Sequence, residues 1–369
     1  AVAVPAAVVD ALGATGASIS VADAELAEAS RDWWPLAMIW ATEGQVAAKA
    51  AVLAKPADTS QVSAIMAIAH EHAVPVTVAA GRSGVCGGSV PLHGGILLDL
   101  SEFDGIVDVD TESMIVRARS GTFGDLFEAE LQSTHDLTVG HWPQSMSLST
   151  VGGWAACRGA GQYSTRYGKI EDIVVGLEVV LADGRVVRTG GAPRSANGPD
   201  LTQLFVGSEG TLGVITEVSM RAHPRPDYHR QSAYGFDSFE AGLDACRRVM
   251  RRGATPAVMR FYDVIESKRN FELDTNVLLF FDEGDPLLVD AGMTIAEQAC
   301  AVAEPLDDGI VDQWMGHRNN VDALESLISG GLVVDTMEIA APWSRLDAIY
   351  ASALAAIRGV PGTLQASAH

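Results

Sequence analysis

The stretch Ser149–Gly161, STVGGWAACRGAG, is followed closely by Tyr167–Asp172, YGKIED, and the chain is organised around this pair. Four glycines stand among small residues, with one large aromatic, Trp154, and one arginine, Arg158, embedded in the run. Glycine lets a second backbone or a ligand approach closely. Ser149 and Thr150 add hydroxyls that can serve an anionic group. An arginine among residues this small has room to face a ligand or a carboxylate. Taken alone, the segment reads equally well as a Gly/Ala-rich helix start packed into a core. The rest of the chain has to decide.

At 369 residues the chain exceeds one ordinary core, so two domains are expected. Hydrophobic residues make up 48% and charged residues 20%, a globular composition. The formal net charge of -22, from 25 basic and 47 acidic residues, argues against nucleic acid as a partner. It leaves room for a small anionic ligand, because local arginines and backbone amides can outweigh the global field. Cys86, Cys157, Cys246 and Cys300 form no CxxC pair, so neither a disulfide framework nor a zinc site is expected. His70 and His72 lack a third ligand, and no metal is expected. There is no basic leader and no apolar run long enough to span a bilayer, so the expected location is cytoplasmic, with at most peripheral membrane contact.

Outward from the central stretch, strands and helices alternate. Residues 5–30 read as two short helices joined by a turn, within an N-terminal helical segment, 1–50. AVLAKP from Ala51 is a short buried strand, and Asp58 is the N-cap of a helix Thr59–His72 with Val62, Ile65, Met66 and Ala69 on one face. Val74–Val78 is a strand running into the loop AAGRSGVCGGSVP. GILLDL, GIVDVD and SMIVRAR supply three more strands before a helix Thr122–Ser133. Asp183-Gly184 between two β-branched runs predicts a hairpin. HPRP at His223–Pro226 marks a domain boundary. Beyond it, strands Arg230–Phe236, Ala257–Tyr262, Val277–Asp282 and Leu332–Glu338 alternate with helices Ser238–Arg252, Pro286–Ala303, Val321–Ser329 and Trp343–Arg358. Hairpins beside strand-helix-strand units make the fold class α+β, with an antiparallel second domain.

Two further glycine-rich segments abut strands. In Ala80–Pro91, Gly81, Gly84, Gly87 and Gly88 expose amides and Ser83 adds a hydroxyl, as a phosphate cradle would. No Lys follows the glycines, which disfavours a nucleoside triphosphate. In Gly207–Glu217, GSEGTLGVITE, three glycines lead into a β-branched strand. Three such segments in one domain fit one extended ligand, a dinucleotide with a central pyrophosphate.

GRSGVCGGSVP, STVGGWAACRGAGQYSTRYGKIEDIV and GSEGTLGVITE together resemble the FAD-binding domain of the vanillyl-alcohol oxidase and p-cresol methylhydroxylase superfamily. The resemblance implies a two-subdomain FAD-binding domain over 51–226 and a ferredoxin-like antiparallel α+β cap over 227–369. It places Ala80, Gly81, Arg82, Ser83, Gly84, Val85 and Gly88 at the pyrophosphate. Ser149, Thr150, Gly152, Gly153, Arg158 and Ile170 would lie along the flavin and ribityl chain, and Glu209, Gly210, Thr211 and Ile215 would complete the site. With no His in the first loop, dissociable FAD is expected. Within the superfamily, Gly152-Gly153-Trp154, Arg158, Tyr167–Asp172, Pro193-Arg194 with Gly198-Pro199-Asp200, PAVMRFYD around Arg260, and Ala341–Arg345 are similar to the alkyldihydroxyacetonephosphate synthase branch. The hydroxy-acid dehydrogenase branch has Asn where Trp154 and Arg158 stand.

The synthase resemblance implies exchange of the acyl group of acyl-dihydroxyacetonephosphate for a fatty alcohol, through an adduct at flavin N5, in ether-lipid synthesis. Its partner is a small lipid phosphate, and a homodimer stays open. Arg260 is the candidate for the substrate phosphate, with Arg194 as a second, since a guanidinium binds phosphate in a forked geometry. A surface or inter-domain ion pair is the competing reading for each. The family's catalytic Tyr and histidine run fall beyond His369, so the resemblance assigns no catalytic residue here. The alternatives are an FAD-dependent D-lactate or glycolate-type dehydrogenase, or a flavin-binding chain without turnover. His141, in GHWPQS, borders the flavin or is a packed core histidine.

Overall fold

The structure is a computed structural model that describes residues 2–191, 196–320 and 322–369. The chain divides into two compact units. The first comprises Ala1–Gly161, Gly168–His223 and Asn320–Asp335; the second comprises Gln162–Tyr167, Pro224–Asn319 and Thr336–His369. The N-terminal stretch is thus part of the first unit, and the change of unit at His223/Pro224 falls in the Pro-rich HPRP.

The first unit holds two sheets. The four-stranded one runs Ser18–Ser20, Val52–Lys55, Ile96–Asp99, Val76–Ala79, with the last three parallel and Ser18–Ser20 antiparallel to its neighbour. Every residue of Ile96–Asp99 is buried, as a central parallel strand requires. The helix Thr59–Glu71 starts where Asp58 accepts the Gln61 N–H at 2.9 Å, and buries Val62, Ile65, Met66 and Ala69. The second sheet is antiparallel, in the order Ile106–Asp110, Ile115–Arg119, Val214–Arg221, Val174–Val180, Val186–Gly190. Its last pair is the Asp183-Gly184 hairpin, with Gly184 at φ +85°. Phe127, Leu131, Trp154, Ile170, Val218 and Met220 belong to the core over this sheet.

The second unit has the chain order of a ferredoxin-like fold. His229–Phe236, helix Phe239–Arg251, Val258–Tyr262, Asn276–Glu283, helix Pro286–Ala299 and Glu304–Leu306 succeed one another. The strands lie in the order Val258–Tyr262, Asn276–Glu283, His229–Phe236, Glu304–Leu306, all antiparallel. Ser238 caps the first of these helices through the Ala241 N–H, and Asp285 followed by Pro286 starts the second.

Some local expectations fail. Leu332–Glu338 is not a strand: among the described residues nothing pairs with it, and Val333 and Met337 are 73% and 64% exposed. β-branched residues make a strand only where a partner edge exists. The stretch 5–30 contains the strand Ser18–Ser20 between its two helices. The helices Pro35–Thr42, Val264–Phe271 and Gly309–His317 lie outside the expected elements.

Candidate functional site

The three glycine-rich segments converge within the first unit. A Cβ on Gly81 would lie 2.1 Å from the Leu148 carbonyl oxygen and 3.3 Å from Ser149 Cα, so the first loop lies backbone-on-backbone against the start of the central stretch. A Cβ on Gly88 would lie 2.9 Å from Glu209 Oε2, bringing the same loop onto the third segment. The central and third segments are joined by two backbone bonds, Gly207 N–H to the Ala155 carbonyl at 2.9 Å and Glu209 N–H to the Ala156 carbonyl at 3.0 Å.

The central stretch forms a short helix, Val151–Cys157, capped by Thr150 Oγ1, which accepts the Gly153 N–H at 3.3 Å. A Cβ on Gly152 would meet Ser120 Cβ at 2.3 Å, which is why this turn needs glycine. Trp154 is buried and its Nε1–H donates to Ser149 Oγ at 2.8 Å. Arg158 closes the helix at φ +56° and donates through Nη2 to the Gln203 and Val206 carbonyls at 3.3 and 3.0 Å. Both odd residues of the stretch therefore have a structural partner: Trp154 packs the core, and Arg158 ties the helix end to residues 203–206. Ile170 is fully buried and caps the same region through its N–H to the Gly159 carbonyl at 3.3 Å, and Ile215 is buried on the strand Val214–Arg221.

The loop's donor set fits a phosphate group. Among the described residues, none of the nine backbone N–H groups from Gly81 to Ser89 donates to a backbone carbonyl, and of the nine only those of Gly87 and Ser89 are turned to a side chain, the Asp32 carboxylate. Buried amides are nearly always paired, and consecutive amides left open form an anion-binding concavity. Ser208 Oγ, in the third segment, is likewise buried without a partner among the described residues. Ala80, Gly81, Arg82, Ser83, Gly84, Val85 and Gly88 therefore lie together on one donor-rich loop. Ser149 lies against this loop and Thr150, Gly152 and Gly153 follow it in the helix start, while Glu209, Gly210 and Thr211 form a tight turn in which the Thr211 N–H donates to the Ser208 carbonyl at 2.9 Å. Gly210 packs on Val78, at 3.2 Å from its Cγ2.

His141 is fully buried against Trp154, with ring centroids 4.7 Å apart. Neither ring nitrogen has a hydrogen-bond partner among the described residues, and burial pushes its pKa down to about 4. A cavity of about 470 Å³ lined by Ile39, Thr42, Glu43, Ile328, Leu332 and Val333 shares no residue with the three segments.

In the second unit, Arg260 lies on the strand Val258–Tyr262, on the same face as Tyr262. Its guanidinium carbon is 5.6 Å from the Tyr262 ring centroid and 5.8 Å from that of Trp314. Nη2 is 2.6 Å from His369 Nε2, while Nε is buried without a partner among the described residues. No carboxylate forms an ion pair with Arg260 among the described residues. Burial, then the charge of Arg260, pushes the His369 pKa down to about 4. Arg318 lies over the Tyr163 ring at 4.8 Å and the Trp314 ring at 5.7 Å, so two guanidiniums address one indole. Arg194 lies outside the described residues. The sequence reading singled out neither Asp32 nor His369. Asp32 is buried beside the first loop, but it lies about 50 positions before that loop, and no local pattern marks it.

The fold and the donor-rich loop fit a dinucleotide with a central diphosphate. A model of the FAD binding domain matches residues 50–190, and a model of the C-terminal domain of FAD linked oxidases matches residues 225–361. The chain belongs to this FAD-linked oxidase family, in the p-cresol methylhydroxylase and vanillyl-alcohol oxidase superfamily, and FAD is its cofactor. The uncharacterized FAD-linked oxidoreductase YgcU of Escherichia coli (strain K12) is 32% identical over 322 residues, 84% of this chain and 66% of that protein. The glycolate oxidase subunit GlcD of Bacillus subtilis is 33% identical over 255 residues, 66% of this chain and 54% of that protein. The alkyldihydroxyacetonephosphate synthase of Caenorhabditis elegans is 38% identical over 168 residues, 46% of this chain and 28% of that protein. The chain spans less than two thirds of the length of each of these curated relatives. Among solved structures, an alkyldihydroxyacetonephosphate synthase superposes with a TM-score of 0.85 at 21% identity, over 96% of this chain and 70% of that one. A p-cresol methylhydroxylase superposes with a TM-score of 0.68 at 18% identity, over 87% and 68%. These likenesses show the α+β fold with an FAD-binding domain and a C-terminal domain.

Proposed function

We propose that this chain serves an FAD-dependent enzyme acting on an anionic lipid phosphate, with the synthase-type exchange of an acyl group for a fatty alcohol as the specific reaction. The observation that carries this reading is Arg260. In a chain whose acidic residues outnumber the basic ones by 47 to 25, it has no carboxylate partner among the described residues and sits against Trp314, which Arg318 also addresses. Such a cation is suited to an anion supplied by the substrate. The GGW…R and YGKIED motifs support the synthase branch. Bound FAD supplies an electrophilic ring able to accept an electron pair. The chain's own groups hold the cofactor's diphosphate on backbone amides and the substrate's anion on Arg260 and Arg318. In this reading FAD is dissociable, since no His stands in the loop 80–91, and the lipid is met through peripheral contact.

The test uses the protein that carries this chain, loaded with FAD. Incorporation of labelled fatty alcohol into the product of acyl-dihydroxyacetonephosphate is expected. Arg260→Ala should raise KM about 10- to 100-fold, the loss of a charged hydrogen bond, with an unchanged flavin spectrum. A second reading, oxidation of a 2-hydroxy acid, has support from the 33% identity to the glycolate oxidase subunit. Anaerobic bleaching of the flavin by D-lactate or glycolate would establish it and sink the synthase reading.

A further inference from the structure

The FAD binding domain match begins at residue 50, but the loop 80–91 is held from outside that range by Ser30–Trp34 of the same unit. Trp33 N–H donates to the Arg82 carbonyl at 3.2 Å. Arg82 has φ +53°, a left-handed conformation that a residue with a side chain keeps only when its surroundings enforce it. The Trp34 ring lies 3.3 Å from where a Cβ on Gly87 would sit, and Gly87 itself has φ +78°. Asp32 is 1% exposed, and its Oδ1 accepts the Trp34 N–H at 3.1 Å. Its Oδ2 is buried without a hydrogen bond among the described residues, 3.9 Å from the Cβ position of Gly84. Burial raises the carboxyl's pKa, and the nearby amides of Trp34, Ser89 and Gly87 pull it back down. The segment is itself pinned, because the buried Ser30 Oγ accepts the Ala50 N–H at 3.1 Å.

A buried carboxylate oxygen without a hydrogen bond is costly, and a structure that keeps one has a use for its position. Here the segment touches the loop at Arg82, Gly84 and Gly87. Without those contacts, a run of four glycines whose amides donate to no backbone carbonyl would sample many conformations and bind an anion only after losing that freedom.

We infer that Ser30–Trp34 is a positioning clasp of the cofactor site, in which Asp32 and Trp34 fix the loop 81–89 so that its amides converge on the diphosphate of FAD. The inference rests on the reading that this loop holds the diphosphate. Asp32 and Trp34 act through the loop and do not themselves bind the flavin.

The test titrates the flavin-stripped protein that carries this chain with FAD and, separately, with riboflavin, which has no phosphate, following flavin fluorescence well below the melting temperature of each variant. Asp32→Asn and Trp34→Ala should each weaken FAD about tenfold or more and leave riboflavin within about twofold, while Trp34→Phe restores most of the FAD affinity. Ser83→Glu, which places a negative charge in the loop, is the control for the underlying reading. If Ser83→Glu leaves FAD affinity unchanged, the loop does not hold the diphosphate. If Ser83→Glu weakens FAD while Asp32→Asn and Trp34→Ala match the unaltered chain, the clasp is wrong. Equal loss of FAD and riboflavin in the Asp32 and Trp34 variants also overturns it, because that pattern marks general destabilisation.

Discussion

The two units build their sites from different materials. In the first, the cradle is backbone: the amides of Gly81–Ser89, the helix start at Thr150 and the turn at Gly207–Gly210, with side chains mostly holding backbone in place. In the second, the candidate anion site is side chain: Arg260, Arg318 and Trp314 on a ferredoxin-like frame. A backbone site depends on what is absent, since a single Cβ spoils it. A side-chain site depends on which groups are present, and can be retuned one residue at a time without disturbing the fold.

The sharpest break between them is Gly81→Ala. Its Cβ would lie 2.1 Å from a carbonyl oxygen, so the loop must move; we expect loss of FAD binding and a destabilisation of about 3 kcal/mol, read by flavin titration and denaturant unfolding. In the second unit a comparable effect is expected from removing a charge. Arg166 pairs with the buried Asp282, which also accepts the Ala257 N–H, and Arg166→Met would strand that carboxylate. The expected loss is about 3 kcal/mol in the second unit, with FAD affinity kept within about threefold, so that a large fall in affinity would contradict the division drawn here.

A smaller effect follows from His141. Its folded pKa of about 4 lies below the ordinary value of 6.5, so protonation favours the unfolded chain. The stability it contributes is fully present above pH 6.5 and is lost as pH falls towards 4. Between pH 7 and pH 5 the first unit should lose about 2 kcal/mol from this residue, and His141→Leu should flatten that part of the profile in denaturant titrations. The smallest effect is Trp154→Phe, which removes the hydrogen bond to Ser149 Oγ and keeps most of the core contact. We expect about 1 kcal/mol in stability and little change in the flavin spectrum; a large spectral shift would mean that Trp154 influences the flavin as well as the core.

What could be read in the sequence follows the same division. Glycine is the only residue that permits the approaches at Gly81 and Gly152, so a backbone site leaves a composition signature. Asp58 as a cap and Asp183-Gly184 as a hairpin were legible for a related reason, because each acts on its immediate neighbours. The clasp was not legible: Asp32 and Trp34 meet the loop across about 50 residues of chain, and Trp33-Trp34 looks like any buried aromatic pair. Arg158 could be picked out, but its bonds to the Gln203 and Val206 carbonyls could not, since carbonyls carry no residue identity. Leu332–Glu338 misled because a strand is decided by its partner as much as by its own residues.

The backbone cradle can be tested directly by hydrogen–deuterium exchange over peptides covering residues 80–91. The amides of residues 81–86 have no acceptor of normal geometry among the described residues, so they should exchange fast in the flavin-stripped protein. FAD should slow them about tenfold or more, and riboflavin should not. If this loop exchanges at the same rate with and without FAD while the segments 149–161 and 207–215 become protected, the cofactor's diphosphate lies elsewhere and the account is wrong.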